Sequence, residues 1–269
     1  MSRRLQGSNE NESRSEEESS SNSQVSFDPD QPAVPQVYAM GDKYEEWVEH
    51  PLTGISKDPN RSIVIFGGPF EWFTHVPWWQ PWLWCPVAVW LTYKAMIMGE
   101  PFDDSWLVFI ISPLTYFFGW PFFEYTVHRW VFHLPTLGNG VLNVAHFLLH
   151  GAHHVMPRDQ SRILAPLPLI AFLSIVTYGV LRVALPVRYA YAVLSGLLYG
   201  YIGYDITHHN IHATGSSKKA VARARKLGPW VRDWPTMRRN HMEHHYSCHD
   251  RHYGITENAH LVDTLLGTD

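Results

Sequence analysis

The sequence has only two cysteines, Cys85 and Cys248, among its 269 residues. That number excludes a disulfide framework and a cysteine-ligated iron–sulfur cluster, and it makes a reducing compartment the default expectation. The formal net charge of −4 is small, so composition predicts no nucleic-acid partner. The sequence also lacks a Gly-rich nucleotide-binding loop and an HPGG haem-binding motif. No motif in this chain is therefore typical of a protein that stores electrons.

Residues 1–35 contain almost no large apolar side chains, and Phe27 is their single aromatic residue. Such a segment cannot bury enough apolar surface to offset the entropy of ordering the chain. It also has no apolar stretch of the kind found in secretory signals. We therefore predict a disordered polar tail at 1–35 and one folded domain at 36–269.

Charged residues are absent from four apolar runs in the middle of the chain. The runs 76–93, 105–123 and 163–181 have 18 or 19 residues, and the run 189–204 has 16. About 20 residues cross the hydrocarbon core as a helix, so each run is a candidate span, the shortest one with some tilt or bilayer thinning. The internal prolines are tolerated better in membrane helices than in soluble ones. We expect an all-α integral membrane protein with about four transmembrane helices.

The distribution of basic residues predicts the orientation of these spans. If the four runs form two hairpins, residues 1–75, 124–162 and 205–269 lie on one side of the membrane. These segments contain 18 of the 21 Lys and Arg residues. By the positive-inside rule, they and both chain termini face the cytosol. The basic run Lys218–Lys226 is suited to anionic lipid headgroups.

Four dense histidine groups lie in those same-side segments, in the stretches EYTVHRWVFH, HFLLHGAHH, YDITHHNIH and HMEHH. Histidines at positions i, i+3 and i+4 share one face of an α-helix, so each H-x2-HH group is expected to present three imidazoles together. The first pair is five residues apart, about 140° around a helix, and is expected to straddle a helix end. One such group is weak evidence, but four on one membrane face favour a metal centre. The candidate ligands are His128, His133, His150, His153, His154, His208, His212, His241, His244 and His245.

Ten neutral imidazoles are enough for two ions with about five ligands each. Imidazole suits zinc, copper, iron and nickel alike, so the ligands leave the metal open. A site beside a membrane meets lipids with unactivated C–H bonds, which need O2 and a redox metal, and zinc has no redox chemistry. Two irons are therefore expected, although zinc binds more tightly than Fe²⁺ and could replace it in a purified sample. The expected architecture is a cytosolic helical cap that holds a histidine-rich dimetal site.

Three further side chains lie beside the candidate ligands in the sequence. His146 comes one helical turn before His150, and we expect it to support a ligand or contact substrate rather than bind metal. Asp205 and Glu243 could accept the outer N–H of a ligand imidazole, which would fix its tautomer. An ordinary solvent-facing charge is the alternative for both acids.

The four motifs, in this order and spacing, resemble the membrane-bound fatty acid hydroxylase superfamily, specifically the fatty acid 2-hydroxylases. The H-x2-HH groups alone are shared with desaturases and sterol oxidases, whereas HFLLHG-x-HH together with YD-x-TH is much more specific. The resemblance covers about residues 36–265 and includes three further stretches, QVYAMGDKYEEWVEHP (36–51), EWFTHVPWWQPWLWCPV (71–87) and HYGIT (252–256).

This resemblance implies that the ten histidines bind two irons. It also implies an O2-dependent monooxygenase that hydroxylates C2 of long-chain acyl groups of sphingolipids or ceramides, in the endoplasmic reticulum membrane. Many members carry a cytochrome b5 domain, and the 35-residue tail is too short to fold as one. Free cytochrome b5 and its reductase are therefore expected as partners that supply electrons. The connection 213–240 is longer and more basic than the family pattern.

Two other kinds of enzyme remain open from the sequence, beside a metal-binding membrane protein that is not an enzyme. One catalyses another reaction of the same superfamily, acyl desaturation or sterol oxidation. The other is a zinc-dependent membrane lipid hydrolase, in which a metal-bound water attacks an ester or amide. A hydrolase needs neither O2 nor an electron donor, so those two requirements separate the classes.

Overall fold

A computed structural model describes residues 26–52, 62–98, 105–213 and 233–269, together with Ala222. All regular structure in these ranges is helical, and they contain no strand, which confirms the all-α expectation. Residues 1–25 and most of the basic connection 213–240 lie outside the described residues. The predictions of a disordered tail and of a headgroup-binding basic run therefore stay predictions for those residues.

Two short helices begin the described chain, α1 at Ala33–Ala39 and α2 at Lys43–Val48. They belong to a buried apolar cluster in which Trp47 is accompanied by Phe27, with ring centroids 4.8 Å apart. Packing therefore begins upstream of residue 36, where the domain was expected to start. Phe27, Ala33 and Val34 therefore pack with the domain, while the division into a tail at 1–35 and a domain at 36–269 stays a prediction.

An aromatic-rich region follows, with 3-10 turns at Gly68–Thr74 and Gln80–Trp84 and helix α3 at Cys85–Ile97. It contains the predicted run 76–93, but the run is α-helical only from Cys85, and the 13-residue helix continues beyond it to Ile97. Proline explains the difference, because Pro81 and Pro86 lack a backbone donor and are favoured in the first turn of a helix.

The next helical stretch is continuous from residue 105 to residue 132. It consists of α4 at Ser105–Leu114, a π-helical turn at Thr115–Gly119, α5 at Trp120–Val127 and a second π turn at His128–Phe132. The first π turn comes directly after Pro113, whose ring and missing N–H disturb the regular hydrogen-bond ladder. This stretch ends at the first histidine pair.

The connection that follows carries helix α6 at Gly140–His146, a third π turn at Phe147–Gly151 and the short helix α7 at Ala152–Val155. Asn139 begins α6 in the way expected of a good N-cap residue, because its side-chain oxygen accepts from two backbone N–H groups of the first turn. The histidines of the motif HFLLHGAHH lie on this π turn and on α7.

Helix α8 spans Leu167–Ala184 and leaves apolar side chains uncovered by protein, with Val183 91% exposed. This helix and the segment Trp106–Phe132 are long and apolar enough to cross a membrane. They are the two such helices among the described residues. The expectation of four spans is therefore not confirmed and stays a prediction.

The fourth predicted run, 189–204, lies within α9, a helix of 27 residues at Val187–Ala213. This helix packs against α3, α4 and α8, and much of it is buried, so it is the central helix of the bundle. Glycine allows the close packing, because a Cβ at Gly200 would lie 2.3 Å from Cγ of Trp120. The C-terminal end of α9 carries His208 and His212.

Two helices complete the chain, α10 at Trp234–Tyr246 and α11 at Glu257–Leu266. The Asp233 carboxylate accepts from the backbone N–H of Thr236 and so caps α10. Helix α10 contacts α9, and α11 packs against α5. These contacts place the histidines of the motif HMEHH, on α10, beside those of the other three motifs.

Candidate metal centre

The first histidine pair faces one direction because the helix between its members is a π turn. The backbone N–H of His133 donates to the carbonyl of His128 at 3.1 Å, which is the i→i+5 bond of a π-helix. The wider turn brings the two Nε2 atoms to 3.3 Å. The expected position at a helix end is correct, since His133 terminates the turn, and the π geometry supplies the common direction that an α-helix would not.

The two H-x2-HH groups are each divided between two centres. In the motif HFLLHGAHH, the Nε2 atoms of His150 and His154 are 3.0 Å apart, whereas Nε2 of His153 lies 2.9 Å from Nε2 of His208 on α9. In the motif HMEHH, the Nε2 atoms of His241 and His245 are 3.0 Å apart. The three imidazoles of each motif do lie together, with ring centroids 4.5 to 6.3 Å apart. Within each motif the members at i and i+4 pair with each other, whereas the member at i+3 contacts a histidine of another helix.

All ten candidate ligands converge, and they form two groups of five. The first histidine group comprises His128, His133, His150, His154 and His244, and the second comprises His153, His208, His212, His241 and His245. Within each group one nitrogen from every residue lies within 4.8 Å of the others. Two nitrogens on opposite sides of one ion with bonds of about 2.1 Å would be about 4.2 Å apart. Each group is therefore only slightly wider than the coordination sphere of a single metal ion, and an inward shift of a few tenths of an ångström (about 0.3 Å per nitrogen) would close it.

Hydrogen bonds on the outer nitrogens fix two imidazoles of the first group. His128 Nδ1 lies 2.5 Å from the carbonyl of Tyr253, and His244 Nδ1 lies 2.6 Å from the carbonyl of Arg251. A carbonyl can only accept, so each Nδ1 carries the proton and each Nε2 presents a lone pair. The lone pair of His128 faces Nε2 of His150 at 3.0 Å. Lone pairs that converge in this way need a cation between them.

The electrostatics of the site favour neutral imidazoles, which are the form that binds metal. Burial lowers the pKa of His153 to about 3. Burial together with neighbouring imidazoles also holds the pKa values of His150 and His154 in the first group, and of His245 in the second, well below the ordinary value. These side chains are therefore unprotonated at neutral pH.

The second group differs from the first in its outer contacts. The Nδ1 atoms of His153, His241 and His245 are buried and have no hydrogen-bond partner among the described residues. Backbone carbonyls thus orient imidazoles in the first group, while several imidazoles of the second group are positioned by packing and by one another.

The three additional candidates occupy different surroundings. The Nδ1 atom of His146 lies 2.7 Å from the hydroxyl of Tyr44, and its ring is 6.3 Å from that of His133, which agrees with a supporting role. Asp205 accepts from the hydroxyl of Tyr201 at 2.7 Å rather than from an imidazole. The side chain of Glu243 is 44% exposed and lies 3.5 Å from Nε2 of His252, so it points away from both histidine groups.

Sequence reasoning did not identify the groups that orient the ligands. The carbonyls of Arg251 and Tyr253 have no sequence signature, because every residue carries a carbonyl. The stretch HYGIT (252–256) was the available signal, since it contains one of them and lies directly after the other. Tyr44 lies in another of the noted stretches and is fully buried beside His146.

A cavity of about 450 Å³ leads to the histidine groups from the apolar helices. Its inner end is lined by His128 and His150 of the first group and by His153 and His208 of the second. Its remaining wall is mostly apolar and includes leucines of α8 and α9, with Asp205 among the few polar side chains. This volume is within the usual range of small-molecule sites.

In the described residues, an all-helical fold brings ten histidines into two five-residue groups at the end of an apolar cavity, which is an arrangement that could hold metal ions. The chain matches the fatty acid hydroxylase family over residues 113–268. It belongs to that family.

Similar proteins agree with this assignment. Two dihydroceramide fatty acyl 2-hydroxylases of Arabidopsis thaliana are 32% and 31% identical to the chain; the matches cover 90% and 88% of it and 92% and 90% of those proteins. A ceramide very long chain fatty acid hydroxylase of Schizosaccharomyces pombe is 29% identical over 88% of this chain and 64% of its own length. A solved structure of full-length scs7p, with only the hydroxylase domain visible, has a TM-score of 0.64 at 24% identity and covers 91% of this chain and 95% of its own, which shows the shared fold.

Proposed function

We propose that this protein is a monooxygenase that uses O2 to hydroxylate C2 of long-chain acyl groups of sphingolipids or ceramides. The observation that carries the proposal is the convergence of ten histidines in two groups of five at the inner end of an apolar cavity. The relatives in Arabidopsis thaliana are named as dihydroceramide fatty acyl 2-hydroxylases, which supports the position of attack and the lipid class.

The cavity would bind the acyl chain, and its apolar wall would exclude water from the reacting carbon. Leu169 and Leu173 of α8 and Leu194 and Leu197 of α9 supply part of that wall. Acyl carbons near the histidine groups would be held there, while the rest of the chain extends between the helices. Orientation of this kind accelerates a reaction by fixing the attacked carbon relative to the reacting group.

The ten histidines would hold two iron ions, one in each group. Bound iron supplies the redox chemistry that O2 activation and C–H oxidation require, which zinc lacks. The buried imidazoles are neutral and have their nitrogens aimed inward, so the protein's own contribution is to bind and orient. His146, through its contact with Tyr44, supports the first group from outside.

Electrons would come from a separate donor. Each hydroxylation by O2 consumes two electrons beyond those of the C–H bond, and the two cysteines of the sequence provide no iron–sulfur cluster. We propose reduced cytochrome b5, with its reductase, as that donor. The basic residues between Lys218 and Arg239 would offer it a complementary surface.

The proposed location is the endoplasmic reticulum membrane, with about four spans and with the histidine groups and both termini on the cytosolic side. Two helices long and apolar enough to cross a membrane support the membrane location. The concentration of basic residues in the segments that carry the histidines supports the orientation.

The function is tested with purified protein loaded with Fe²⁺ and supplied with ceramide or long-chain fatty acid, O2, reduced cytochrome b5 and its reductase. Product analysis by mass spectrometry is expected to show one added oxygen at C2. Omitting either O2 or the donor should abolish the product. A product with a new double bond would identify the reaction as desaturation rather than hydroxylation. Lipid cleavage without O2 would identify the protein as a hydrolase.

A further inference from the structure

The loop 251–256 orients two ligands of the first histidine group with its backbone. The carbonyls of Arg251 and Tyr253 accept from Nδ1 of His244 and His128, at 2.6 and 2.5 Å. The residue between them, His252, has a φ of 56°, which is uncommon for a residue other than glycine. A loop with this conformation keeps its carbonyls aimed at two imidazoles only if its own N–H groups are firmly bound.

Two buried carboxylates bind four consecutive N–H groups of this loop. Asp263 of α11 accepts from the backbone of Tyr253 at 2.9 Å and of Gly254 at 2.7 Å. Glu124 of α5 accepts from the backbone of Ile255 at 2.6 Å and of Thr256 at 3.0 Å. Both carboxylates are buried, Asp263 at 0% and Glu124 at 4% exposure. Each carboxylate accepts from two adjacent N–H groups, so the loop is held from two helices at once.

Thr268 adds a third contact from the C-terminal end of the described chain. Its carbonyl accepts from the backbone N–H of His252 at 2.7 Å. Its hydroxyl donates to the Asp263 carboxylate at 2.8 Å and lies 3.0 Å from the hydroxyl of Tyr125. All five N–H groups from residue 252 to residue 256 are therefore bound. Glu124 also contacts a candidate ligand directly, because its backbone carbonyl accepts from the backbone N–H of His128.

This arrangement serves one of the two groups. Its carbonyls reach His128 and His244 of the first group, whereas three Nδ1 atoms of the second group have no partner among the described residues. We propose that Asp263, assisted by Glu124 and Thr268, is a positioning residue that sets the metal affinity of the first group through the 251–256 loop. The second group does not depend on it. This inference rests on the proposed role of the ten histidines as metal ligands.

Zinc binding to the metal-free protein tests the inference without any measurement of activity. In competition with a chelator, the parent protein is expected to bind two zinc ions. Asp263→Asn replaces one accepting oxygen by an NH2 group that faces a backbone donor. It should weaken one of the two sites by about 10–100-fold, the usual cost of losing an outer partner of a metal ligand, and leave the other unchanged.

Glu71→Gln is the matched control. The Glu71 carboxylate also accepts from the backbone of consecutive residues, Ile65, Phe66 and Gly67, at 2.9 to 3.1 Å, but that loop contacts neither of the two carbonyls. Zinc affinity at both sites should stay at the parent value in this variant. Weakening equal to that of Asp263→Asn would overturn the inference, because it would reflect a general loss of structure.

Two ligand variants assign the effect to one group. In a chain with His212→Ala only the first group is complete, and Asp263→Asn should weaken its zinc binding. In a chain with His133→Ala only the second group is complete, and Asp263→Asn should leave it unchanged. Unchanged affinity in the His212→Ala chain would overturn the inference while the metal centre stands. A parent protein that binds no zinc would overturn the metal centre and the inference together.

Thr268 supplies a milder comparison if Asp263→Asn does not fold. Thr268→Val removes the hydroxyl that donates to Asp263 and keeps the side-chain shape, whereas Thr268→Ser keeps the hydroxyl. In the His212→Ala chain, zinc binding should weaken severalfold in the valine variant and return close to the parent value in the serine variant. Equal affinities for the two variants would overturn the proposed path from Asp263 to the loop.

Discussion

At the scale of single residues, each imidazole of the site has two different environments. The Nε2 atoms converge inside the groups, and the outer atoms Nδ1 of His128 and His244 donate to backbone carbonyls. An imidazole with this division of roles binds metal through one nitrogen and is oriented through the other. Removing a ligand should therefore empty its own group and leave the neighbouring one.

His244→Ala is expected to remove the metal of the first group, and His153→Ala that of the second. Loss of a residue that hydrogen-bonds to a metal ligand typically lowers activity by about 10–100-fold, and loss of the ligand itself should lower it further. Each variant protein should remain inserted in the membrane. Metal analysis of the purified variants checks this. His209→Ala is the matched control, because His209 belongs to neither group although it follows His208 directly. Two retained metals in His244→Ala or His153→Ala would remove that residue from the ligand set.

The buried histidines also predict how the metal-free protein responds to acid. Burial lowers the pKa of His153 to about 3, while the unfolded chain has an ordinary histidine pKa near about 6.5. Below the pKa of the unfolded chain, the unfolded state takes up a proton that the folded state does not bind, so the free energy of unfolding falls as the pH falls. Each such histidine costs about 1.4 kcal/mol per pH unit in this window.

Thermal unfolding of chelator-treated protein should therefore show a falling midpoint between about pH 7 and about pH 5. The dependence should be shallower in His153→Ala, which has one buried imidazole fewer. A midpoint that does not change across this range would contradict the neutral, buried state of the histidines.

At the scale of helices, spacing predicted that the candidate ligands lie close together but not how they divide between the two groups. A period of 3.6 residues brings positions i, i+3 and i+4 to one side, and all ten candidates do converge. Whether His153 joins the same ion as His150 depends on α9 and α10, which approach from elsewhere in the chain. The π turn at His128–Phe132 was also outside the reach of an α-helical period, although Pro113 gave a reason for the earlier π turn.

Close contact between α9 and α5 leads to a prediction for the helix that carries His208 and His212. A Cβ at Gly200 would lie 2.3 Å from Cγ and 2.4 Å from Cδ2 of the Trp120 ring, and the ring cannot move away because it is itself buried. Gly200→Ala should destabilise the protein by about 1–3 kcal/mol, the usual cost of overpacking. Thermal unfolding in detergent measures the change.

Gly179→Ala on α8 is the control for this substitution, because nothing lies within 4 Å of the added Cβ. Alanine is also the better helix former, so this variant should be as stable as the parent or slightly more stable. Equal effects of the two substitutions would show that the contact with Trp120 does not limit the approach of the helices.

At the scale of the whole molecule, composition predicted an all-helical protein with long apolar segments, and the structure has these features. The number of spans was harder to predict because an apolar run can face lipid or the protein interior. Residues 163–181 largely became α8, whose side chains are exposed, whereas residues 189–204 became the buried centre of α9. The run 189–204 has five Tyr and three Gly among its 16 residues, whereas the run 163–181 has one of each among 19. The glycines allow α3 and α4 to pack closely around α9.

The orientation of the chain in the membrane can be tested directly. Residues 1–75 and the two segments that carry the histidine groups, 124–162 and 205–269, together contain 18 of the 21 Lys and Arg residues. The turn between the first two apolar runs carries Glu100, Asp103 and Asp104. Positive residues remain on the cytosolic side, so this turn is expected to face the lumen. An N-glycosylation acceptor inserted beside Asp103 should be modified when the protein is made with endoplasmic reticulum membranes, and one beside Lys219 should not. A shift in gel mobility that glycosidase removes identifies the modified form. Modification at Lys219 alone would reverse the orientation and place both histidine groups in the lumen, away from a cytosolic electron donor.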